Sequence, residues 1–267
     1  MKEEQKHAIY EQAKQWIMDA GQKIHDKIDE PLYVDTKANP NDLVTQMDRN
    51  TEKFFVDKIK NKYPNHRLLS EEGYGDEIDS MDGTIWIIDP IDGTMNFVHQ
   101  KRNFAISIGI YHDGVGEIGF IYDVMDDLLY SVKRGEGAYK NNQKLPLLDD
   151  KKVLEESIVI VNNYWATENR VVDEKKIQDL IQKVRGTRSY GSAALEFAYL
   201  AEGIADAYLT MQLSPWDVAA GIILVNEVGG ITTSADGSPV NLVENTSILS
   251  ANINVHSDII ENFIRIK

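Results

Sequence analysis

The sequence predicts a mixed α/β protein with two helix-flanked sheets, and three observations lead to this fold class. The chain has 267 residues, of which 42% are hydrophobic, enough to bury a substantial core. Apolar residues in its first part alternate with period two between short turns, a pattern typical of antiparallel sheet. After about Asp150, strand and helix patterns alternate instead. Because no Pro-, Gly- or Ser-rich linker interrupts the chain, we expect two packed halves, residues 1–152 and residues 153–267.

The first half begins with helices and continues as a meander of strands. Apolar residues recur at spacings of three and four from Ile9 to Ile28 and predict a long amphipathic helix over residues 3–29. A second helix is predicted from about 49 to 63. Residues 35–42 between them are polar, contain Pro and Asn, and predict a loop. Strands are predicted over residues 66–70, 85–88, 104–110, 115–122 and 128–132.

The pattern of the second half predicts a second sheet covered by helices. Its strands are predicted over residues 157–161, 207–210 and 231–233. Its helices are predicted over residues 168–183, 192–202 and 217–228, with a final helix from Ser257.

The composition excludes several classes of protein. The net charge is −15, with 28 Lys and Arg against 43 Asp and Glu and no long basic run, which argues against a nucleic-acid or anionic membrane surface. No cysteine is present, so disulfides and thiolate chemistry are excluded. The polar start of the chain and the absence of about 20 consecutive apolar residues predict a cytoplasmic protein. An acidic protein that handles an anionic substrate needs a local positive charge, and a bound metal ion would supply one.

A pair of carboxylates follows a strongly apolar run. Asp89 comes directly after residues 86–88, and Asp92 follows three residues later. We expect Pro90 to end the strand ladder there. Gly93 allows a tight turn in which backbone amides point at an anion. The segment therefore predicts a divalent metal site that faces a phosphate group.

Further acids are placed where they could join this pair. Glu71 and Glu72 end another short apolar run, Asp217 begins a helix, and Asp48 precedes one. Each alone is more typical of a solvated or helix-capping acid. Together, as oxygen ligands without His or Cys, they favour Mg²⁺, Mn²⁺ or Ca²⁺ over zinc. Lys37 lies on the predicted loop and could reach over such a site.

Two other motifs are interpreted as structural. Residues 79–84 repeat the Asp-x-x-Asp-Gly-Thr pattern of residues 89–94, but they lie in a polar stretch and predict a surface turn. Residues 114–119 match a dinucleotide-binding fingerprint at a predicted hairpin turn. A dinucleotide-dependent oxidoreductase would need a helix after Gly119, where the pattern predicts a strand.

Several motifs in order carry a resemblance to a known family. Residues 42–45, 70–72, 86–99 and 216–221 resemble the inositol monophosphatase family, the Mg²⁺-dependent, lithium-sensitive phosphatases of sugar and nucleotide phosphates. The resemblance covers nearly the whole chain. It implies a five-layered α/β/α/β/α sandwich and a homodimer. The first half would carry most metal ligands, and the second half would carry Asp217 and the leaving-group pocket.

The resemblance also implies the metal ligands. Glu71, Asp89 and the main-chain carbonyl of Ile91 would hold one ion, and Asp89, Asp92 and Asp217 would hold a second. A third, weaker ion would use Glu71 and water. The cofactor is expected to be Mg²⁺, two or three per active site, with Mn²⁺ as a substitute.

The catalytic roles that the resemblance implies centre on one water molecule. Thr94 and Asp48 would orient and deprotonate it, with Glu72 assisting and Lys37 acting from the lid. The reaction would be in-line attack of the metal-activated water on phosphorus without a phosphoenzyme. Substrate contacts are expected from Asp92, Gly93, Thr94, Gly191, Ser192, Ala193, Thr210 and Asp217.

The residue at position 210 bears on the substrate class. Inositol-specific members of the family commonly carry a glutamate seven residues before the acid matching Asp217, and Thr210 stands there. Loss of that acceptor weakens inositol specificity and tolerates larger anionic leaving groups. We expect a phosphatase of inositol monophosphate with broader activity. The alternatives are an NADP(H) 2′-phosphatase, a fructose-1,6-bisphosphatase and, more distantly, a non-catalytic metal-binding regulatory protein.

Overall fold

The computed structural model describes residues 1–36 and 43–267. Helix α1 spans Glu3–Lys27, as predicted. Strands β1 (Val34–Thr36) and β2 (Leu43–Thr45) pair antiparallel, so the first residues of the predicted loop, 35 and 36, belong to a strand. Helix α2 follows over Gln46–Lys62. The predicted lid residue Lys37 lies outside the described residues. No helix in the described part of the chain is long and apolar enough to cross a membrane.

The first sheet has the order β3-β4-β5-β6-β7-β8-β9. Its strands are β3 (Arg67–Ser70), β4 (Thr84–Asp92), β5 (Ala105–His112), β6 (Val115–Asp123), β7 (Leu128–Lys133), β8 (Gly137–Lys140) and β9 (Gln143–Lys144). Strands β3 and β4 are parallel and the other neighbours are antiparallel, which confirms the predicted meander. Strand β6 continues through Gly119, so the glycine-rich motif is a hairpin.

Strand β4 departs from the prediction at Pro90. The ladder continues to Asp92 through a register shift, because Asp89 pairs with Ser107 while Asp92 pairs with Ala105. Three steps along β4 thus match two along β5, which is a bulge of one residue that accommodates the proline. Acids three residues apart would otherwise lie on opposite faces of a strand. The bulge places both on the same face.

The second sheet has the order β11-β10-β12-β14-β13. Its strands are β10 (Ile158–Val161), β11 (Gly186–Arg188), β12 (Ala207–Leu213), β13 (Ile231–Thr233) and β14 (Thr246–Ala251). Strand β14 lies inside the sheet between β12 and β13, and the sequence did not predict it. Strand β11 at the edge was also not predicted.

The remaining helices are α3 (Thr94–Gln100), α4 (Glu174–Lys183), α5 (Ala193–Glu202), α6 (Pro215–Glu227) and α7 (Ile253–Phe263). Helix α3 was not predicted. Helix α4 is shorter than predicted because Asp173 caps it by accepting from the Lys175 amide. Helix α7 begins before Ser257 because Asn252 caps it in the same way.

Apolar clusters define the layers. One cluster joins α1 and α2 to the face of the first sheet that carries Trp86 and Ile88. The opposite face, with Ile85 and Ile87, packs on α5 and α6, which also contact the second sheet. A third cluster joins the outer face of the second sheet to α4 and α7. This order confirms the five-layered α/β/α/β/α sandwich. The division at residue 152 stays a prediction; the two sheets fall on either side of it.

Helix α6 lies unusually close to the first sheet. A side chain at Gly109 of β5 would place its Cβ 2.8 Å from the Cβ of Ala219. The absence of a side chain there lets the first turns of α6 rest on the sheet. Because Asp217 lies in the first turn of α6, this contact positions it beside the end of β4.

Candidate active site

Three carboxylates converge where β4 ends and α6 begins. Ligand oxygens of Asp89, Asp92 and Asp217 all lie within 4.8 Å of one another. Asp89 is 2% exposed, Asp92 is 5% exposed and Asp217 is half-buried. Buried acids at this separation repel each other strongly unless protons or cations neutralise them.

Local structure fixes each of these acids. The Asp89 carboxylate accepts from the Ile91 amide at 3.0 Å within the bulge. The Asp217 carboxylate accepts from the Ser214 amide at 2.7 Å, a reciprocal contact of the kind made at helix N-termini. Both acids are therefore held by backbone donors that leave further carboxylate oxygen lone pairs available.

Asp92 connects the two halves of the chain. Its carboxylate accepts from the Ser192 hydroxyl and from the amides of Ala194 at 2.8 Å and Ala193 at 3.3 Å. These donors belong to the start of α5, where a negative charge is favoured. Gly93 follows with a left-handed φ of 92°, and a Cβ there would lie 3.1 Å from the Gly191 carbonyl oxygen. Glycine thus permits the turn and the close packing on residues 191–192.

Glu71 and Glu72 form a turn after β3 and are half-buried. The charge of Glu71 helps to raise the pKa of Asp89, and the protonated Asp89 carboxyl can donate to Glu71 or to Asp217. The predicted ligand Glu71 therefore lies beside the three clustered acids. Parallel strands β3 and β4 bring their carboxyl ends to the same edge, as the sequence predicted.

Burial and mutual repulsion dominate the electrostatics. Burial, followed by the charges of Glu71, Asp92 and Asp217, raises the pKa of Asp89 well above its ordinary value. Burial, followed by the charge of Asp92, does the same for Asp217. Burial raises the pKa of Asp92 to about 6, although the donors from α5 oppose this. A divalent cation would replace the protons that these groups otherwise retain.

The residues present fit a hard divalent cation. The donors are carboxylate oxygens, which Mg²⁺ prefers. Ser107 supplies a second observation, because its hydroxyl is the buried side-chain polar atom without a hydrogen-bond partner in the described part of the chain. Ser107 lies directly across from Asp89, and such pairs share a face of the sheet. A water molecule of an ion's hydration shell would satisfy this hydroxyl.

A second group of polar side chains lies next to the acids. The Thr94 hydroxyl lies 3.2 Å from a carboxylate oxygen of Asp48 and 3.1 Å from the carbonyl oxygen of Ile91, so one proton faces two acceptors. Asp48 is fully buried and also accepts from the amide and hydroxyl of Thr45. Burial raises the pKa of Asp48 to about 6, although the hydrogen bonds from Thr45 act to lower it.

A cavity of about 460 Å³ opens beside the acids. Its walls include the predicted substrate residues Asp92, Gly191, Ser192, Ala193, Thr210 and Asp217. Glu196 also lines it and accepts from the amides of Tyr190 at 2.7 Å and Gly191 at 3.2 Å. The structure thus brings these predicted residues together, and Lys37 alone among the predicted site residues lies outside the described ones.

Sequence reasoning missed several residues that shape the site. Thr45 could have been found, because Thr45 and Asp48 have the spacing of a capping box. Ser107 carries no sequence signal, since its role depends on the register of β5 against β4. In the repeated motif, residues 79–83 belong to no regular element and the Asp79 side chain is 97% exposed, whereas Thr84 already lies in β4 and is buried.

The raised pKa values predict an unusual pH dependence for the metal-free protein. When the pKa of a carboxyl group is higher in the folded protein than in the unfolded chain, the group stabilises the fold at low pH. This stabilisation is lost as the pH rises and the group ionises. For Asp48 and Asp92 that loss runs from about pH 4, where these groups ionise in the unfolded chain, to about pH 6, where they ionise in the folded protein. In EDTA, the melting temperature should fall by roughly 4 °C or more from pH 5 to pH 8, since 1 kcal/mol corresponds to about 2–4 °C. Mg²⁺ at pH 8 should restore it; a flat profile, scanned by calorimetry, would contradict the described electrostatics.

Comparison with known proteins supports one enzyme class. The model of the inositol monophosphatase family matches residues 5–266. Inositol-1-monophosphatase of Bacillus subtilis (strain 168) is 55% identical over 256 residues, 96% of each chain. The structure of SaIMPase-II bound to 2′AMP has a TM-score of 0.88 and 43% identity, covering 96% of this chain and 94% of the other. An IMPase/NADP phosphatase complexed with Mg²⁺ and phosphate has a TM-score of 0.88 and 26% identity, covering 96% and 95%.

The fold, the acid cluster and these matches define a phosphoric monoester hydrolase of the Mg²⁺-dependent type. The chain belongs to the inositol monophosphatase family.

Proposed function

We propose that this protein hydrolyses inositol monophosphate and, with broader specificity, related phosphate monoesters. The observation that carries the proposal is the convergence of Asp89, Asp92 and Asp217 within 4.8 Å beside a polar cavity. The Bacillus subtilis relative, named an inositol-1-monophosphatase, supports the substrate.

We assign the metal ligands as the family resemblance implies. Glu71, Asp89 and the carbonyl of Ile91 would hold one ion, and Asp89, Asp92 and Asp217 a second, with a weaker third at Glu71. The Ile91 carbonyl lies 3.1 Å from the Thr94 hydroxyl and keeps a second lone pair for an ion. Bound Mg²⁺, or Mn²⁺ in its place, supplies positive charge for the phosphate oxygens and lowers the pKa of water.

Protein groups would position the nucleophilic water and receive its proton. The Thr94 hydroxyl, between Asp48 and the Ile91 carbonyl, can accept from the water while donating to Asp48. Asp48 is then the proton acceptor, and its pKa of about 6 suits a general base that works near neutral pH. Glu72 assists from the neighbouring turn, and Lys37 would act from the lid.

Substrate binding would divide between phosphate and leaving group. The amides of Gly93 and Thr94 are at the start of α3, where amides lack partners inside the helix, and would hold the phosphate. Gly191, Ser192 and Ala193 would line the leaving-group pocket. Asp92, Asp217 and Thr210 line the same cavity.

The second candidate is an NADP(H) 2′-phosphatase, which one specific observation favours. Thr210 is neutral where inositol-specific members of the family commonly carry a glutamate. Tyr164 and Trp165 also line the cavity. Trp165 is buried, whereas Tyr164 is 59% exposed and offers an aromatic face to a larger leaving group such as a nucleotide base. SaIMPase-II, a relative of this chain, was solved with the nucleotide 2′AMP bound. Fructose-1,6-bisphosphatase activity is the third candidate.

Replacing Thr210 by glutamate tests this preference. Thr210→Glu should lower kcat/KM for NADP by about 10-fold or more, because a carboxylate in the cavity repels an anionic leaving group. The change for inositol 1-phosphate should be small or favourable. Thr210→Gln is the matched control of similar size without charge. Equal activity of wild type and Thr210→Glu on NADP would contradict the assignment.

A substrate panel tests the main proposal. Phosphate release would be measured from inositol 1-phosphate, NADP, fructose 1,6-bisphosphate and adenosine 3′,5′-bisphosphate, each with Mg²⁺ and with EDTA. The proposal predicts Mg²⁺-dependent release that is fastest from inositol 1-phosphate. Fastest release from NADP would favour the second candidate, and no release from any substrate would favour a non-catalytic metal-binding protein.

We also propose that the enzyme is a homodimer in the cytoplasm and that lithium inhibits it, as the family resemblance implies. Light scattering after gel filtration tests the dimer, and cell fractionation tests the location. Titrating LiCl into the phosphate-release assay tests the inhibition.

A further inference from the structure

Glu52 is a buried carboxylate that the proposed mechanism does not use. It lies on α2, is fully buried, and accepts three hydrogen bonds. The donors are the Ser70 hydroxyl at 2.7 Å, the Glu72 amide at 2.6 Å and the Tyr74 amide at 2.8 Å. A buried carboxylate is costly unless such donors satisfy it, so these contacts hold the turn and Glu52 together.

All three donors belong to one short segment, residues 70–74. This segment carries Glu71, which lies beside Asp89, and Glu72. Residues 71–74 follow the last residue of β3 and belong to no strand or helix, so ladder hydrogen bonds do not fix them. Glu52 therefore anchors the turn on both sides of the proposed ligand.

The anchor shares a helix face with the proposed base. Asp48 and Glu52 are four residues apart on α2 and so lie one above the other. Asp48 reaches Thr94, while Glu52 reaches the turn after β3. One rigid helix thus sets the distance between the group that would receive the proton and the turn that would bind metal.

We propose that Glu52 is a positioning residue for metal binding, which holds the Glu71–Glu72 turn in the geometry that the ions require. The inference rests on the proposed function. Partners in the shell around metal ligands typically contribute 10- to 100-fold to metal affinity or activity. Glu52 should act through affinity for Mg²⁺ and through kcat, while KM for substrate changes little.

Glu52→Gln tests this with little change in shape. A glutamine amide presents an N–H group to one of the present donors, so at least one bond becomes a donor–donor clash. Calorimetric titration with Mg²⁺ in the absence of substrate should show roughly 10-fold weaker binding. The Mg²⁺ concentration for half-maximal kcat should rise by a similar factor.

A matched control separates positioning from stability. Glu117 is also a buried carboxylate, but it pairs with Lys6 at 3.1 Å and Arg134 at 3.2 Å. Glu117→Gln should lower the melting temperature without changing Mg²⁺ affinity. If Glu52→Gln does not fold, Ser70→Ala removes one of the three bonds and should weaken Mg²⁺ binding in the same direction.

The outcomes distinguish this inference from the proposed function. Wild-type Mg²⁺ affinity and kcat in folded Glu52→Gln, or in Ser70→Ala if the first variant does not fold, would overturn the positioning role and leave the phosphatase proposal standing. Weaker Mg²⁺ binding in the variant, with no phosphate release by wild type, would support the positioning role and overturn the proposed substrate class.

Discussion

Replacing Asp89 by asparagine should abolish phosphate release while stabilising the metal-free protein. Asp89 is the acid shared by both proposed ions, so its loss removes transition-state charge stabilisation of several kcal/mol, or about 10³-fold or more in kcat. The asparagine oxygen can still accept from the Ile91 amide, which preserves the bulge. Phosphate release and the melting temperature in EDTA would be measured on the same preparation.

The stability change follows from the repulsion described at the site. Burial, followed by the charges of Glu71, Asp92 and Asp217, raises the pKa of Asp89 well above its ordinary value, so keeping this carboxyl either ionised or protonated costs free energy at neutral pH, and a neutral asparagine avoids that cost. The melting temperature in EDTA should rise by about 2 °C or more, the effect expected of roughly 1 kcal/mol. Mg²⁺ should then stabilise the variant less than it stabilises wild type.

The chain supplies its own control for this substitution. Asp79 holds the matching place in the repeated motif, where it is exposed and pairs with Arg67 at 3.8 Å. Asp79→Asn should leave both activity and the Mg²⁺ response unchanged. Full activity in Asp89→Asn, or equal losses in both variants, would be incompatible with the metal assignment.

The predictable part of the fold is the part with strong periodicity. Helix α1 and strand β5 each present a clear apolar pattern, and both were predicted within two residues of their bounds. Strand β14 was missed because four consecutive residues, Ile248 to Ala251, are buried inside the second sheet. A strand covered on both faces has no alternation to detect. Helix α3 was missed because its seven residues span only about two turns.

The site residues that could be predicted are likewise those with a local sequence pattern. The sequence predicted three of the clustered acids, Asp89, Asp92 and Asp217, because each lies next to an apolar run or at the start of a helix. Pro90 was expected to end β4 but lies in a bulge, since the paired strand tolerates an extra residue there. Ser107 and Glu52 were not predicted, because their roles depend on which residues the fold places across from them.

Thr94→Ala and Asp48→Asn should each lower kcat by about 10²- to 10⁴-fold, the range typical of a positioned general base. The Thr94 hydroxyl lies 3.2 Å from a carboxylate oxygen of Asp48, and the proposed mechanism uses both side chains to move one proton. Removing either should therefore disable the pair. The double variant should be about as slow as the slower single variant, because groups that act as a unit are strongly non-additive. Single-turnover phosphate release with saturating Mg²⁺ is the measurement.

The free energy of unfolding should differ between the two single variants, and measuring it shows whether a loss of activity comes from a loss of folded protein. Asp48 also accepts from the amide and hydroxyl of Thr45 at the start of α2, and burial raises its pKa to about 6, so Asp48→Asn alters both a helix cap and the cost of burying a charge. Thr94→Ala leaves those bonds intact and should change the free energy of unfolding less. Two variants with unequal stability but similar losses in kcat would identify the shared proton as the cause. Additive losses in the double variant would mean that Thr94 and Asp48 serve separate steps, and the proposed proton transfer would then be wrong.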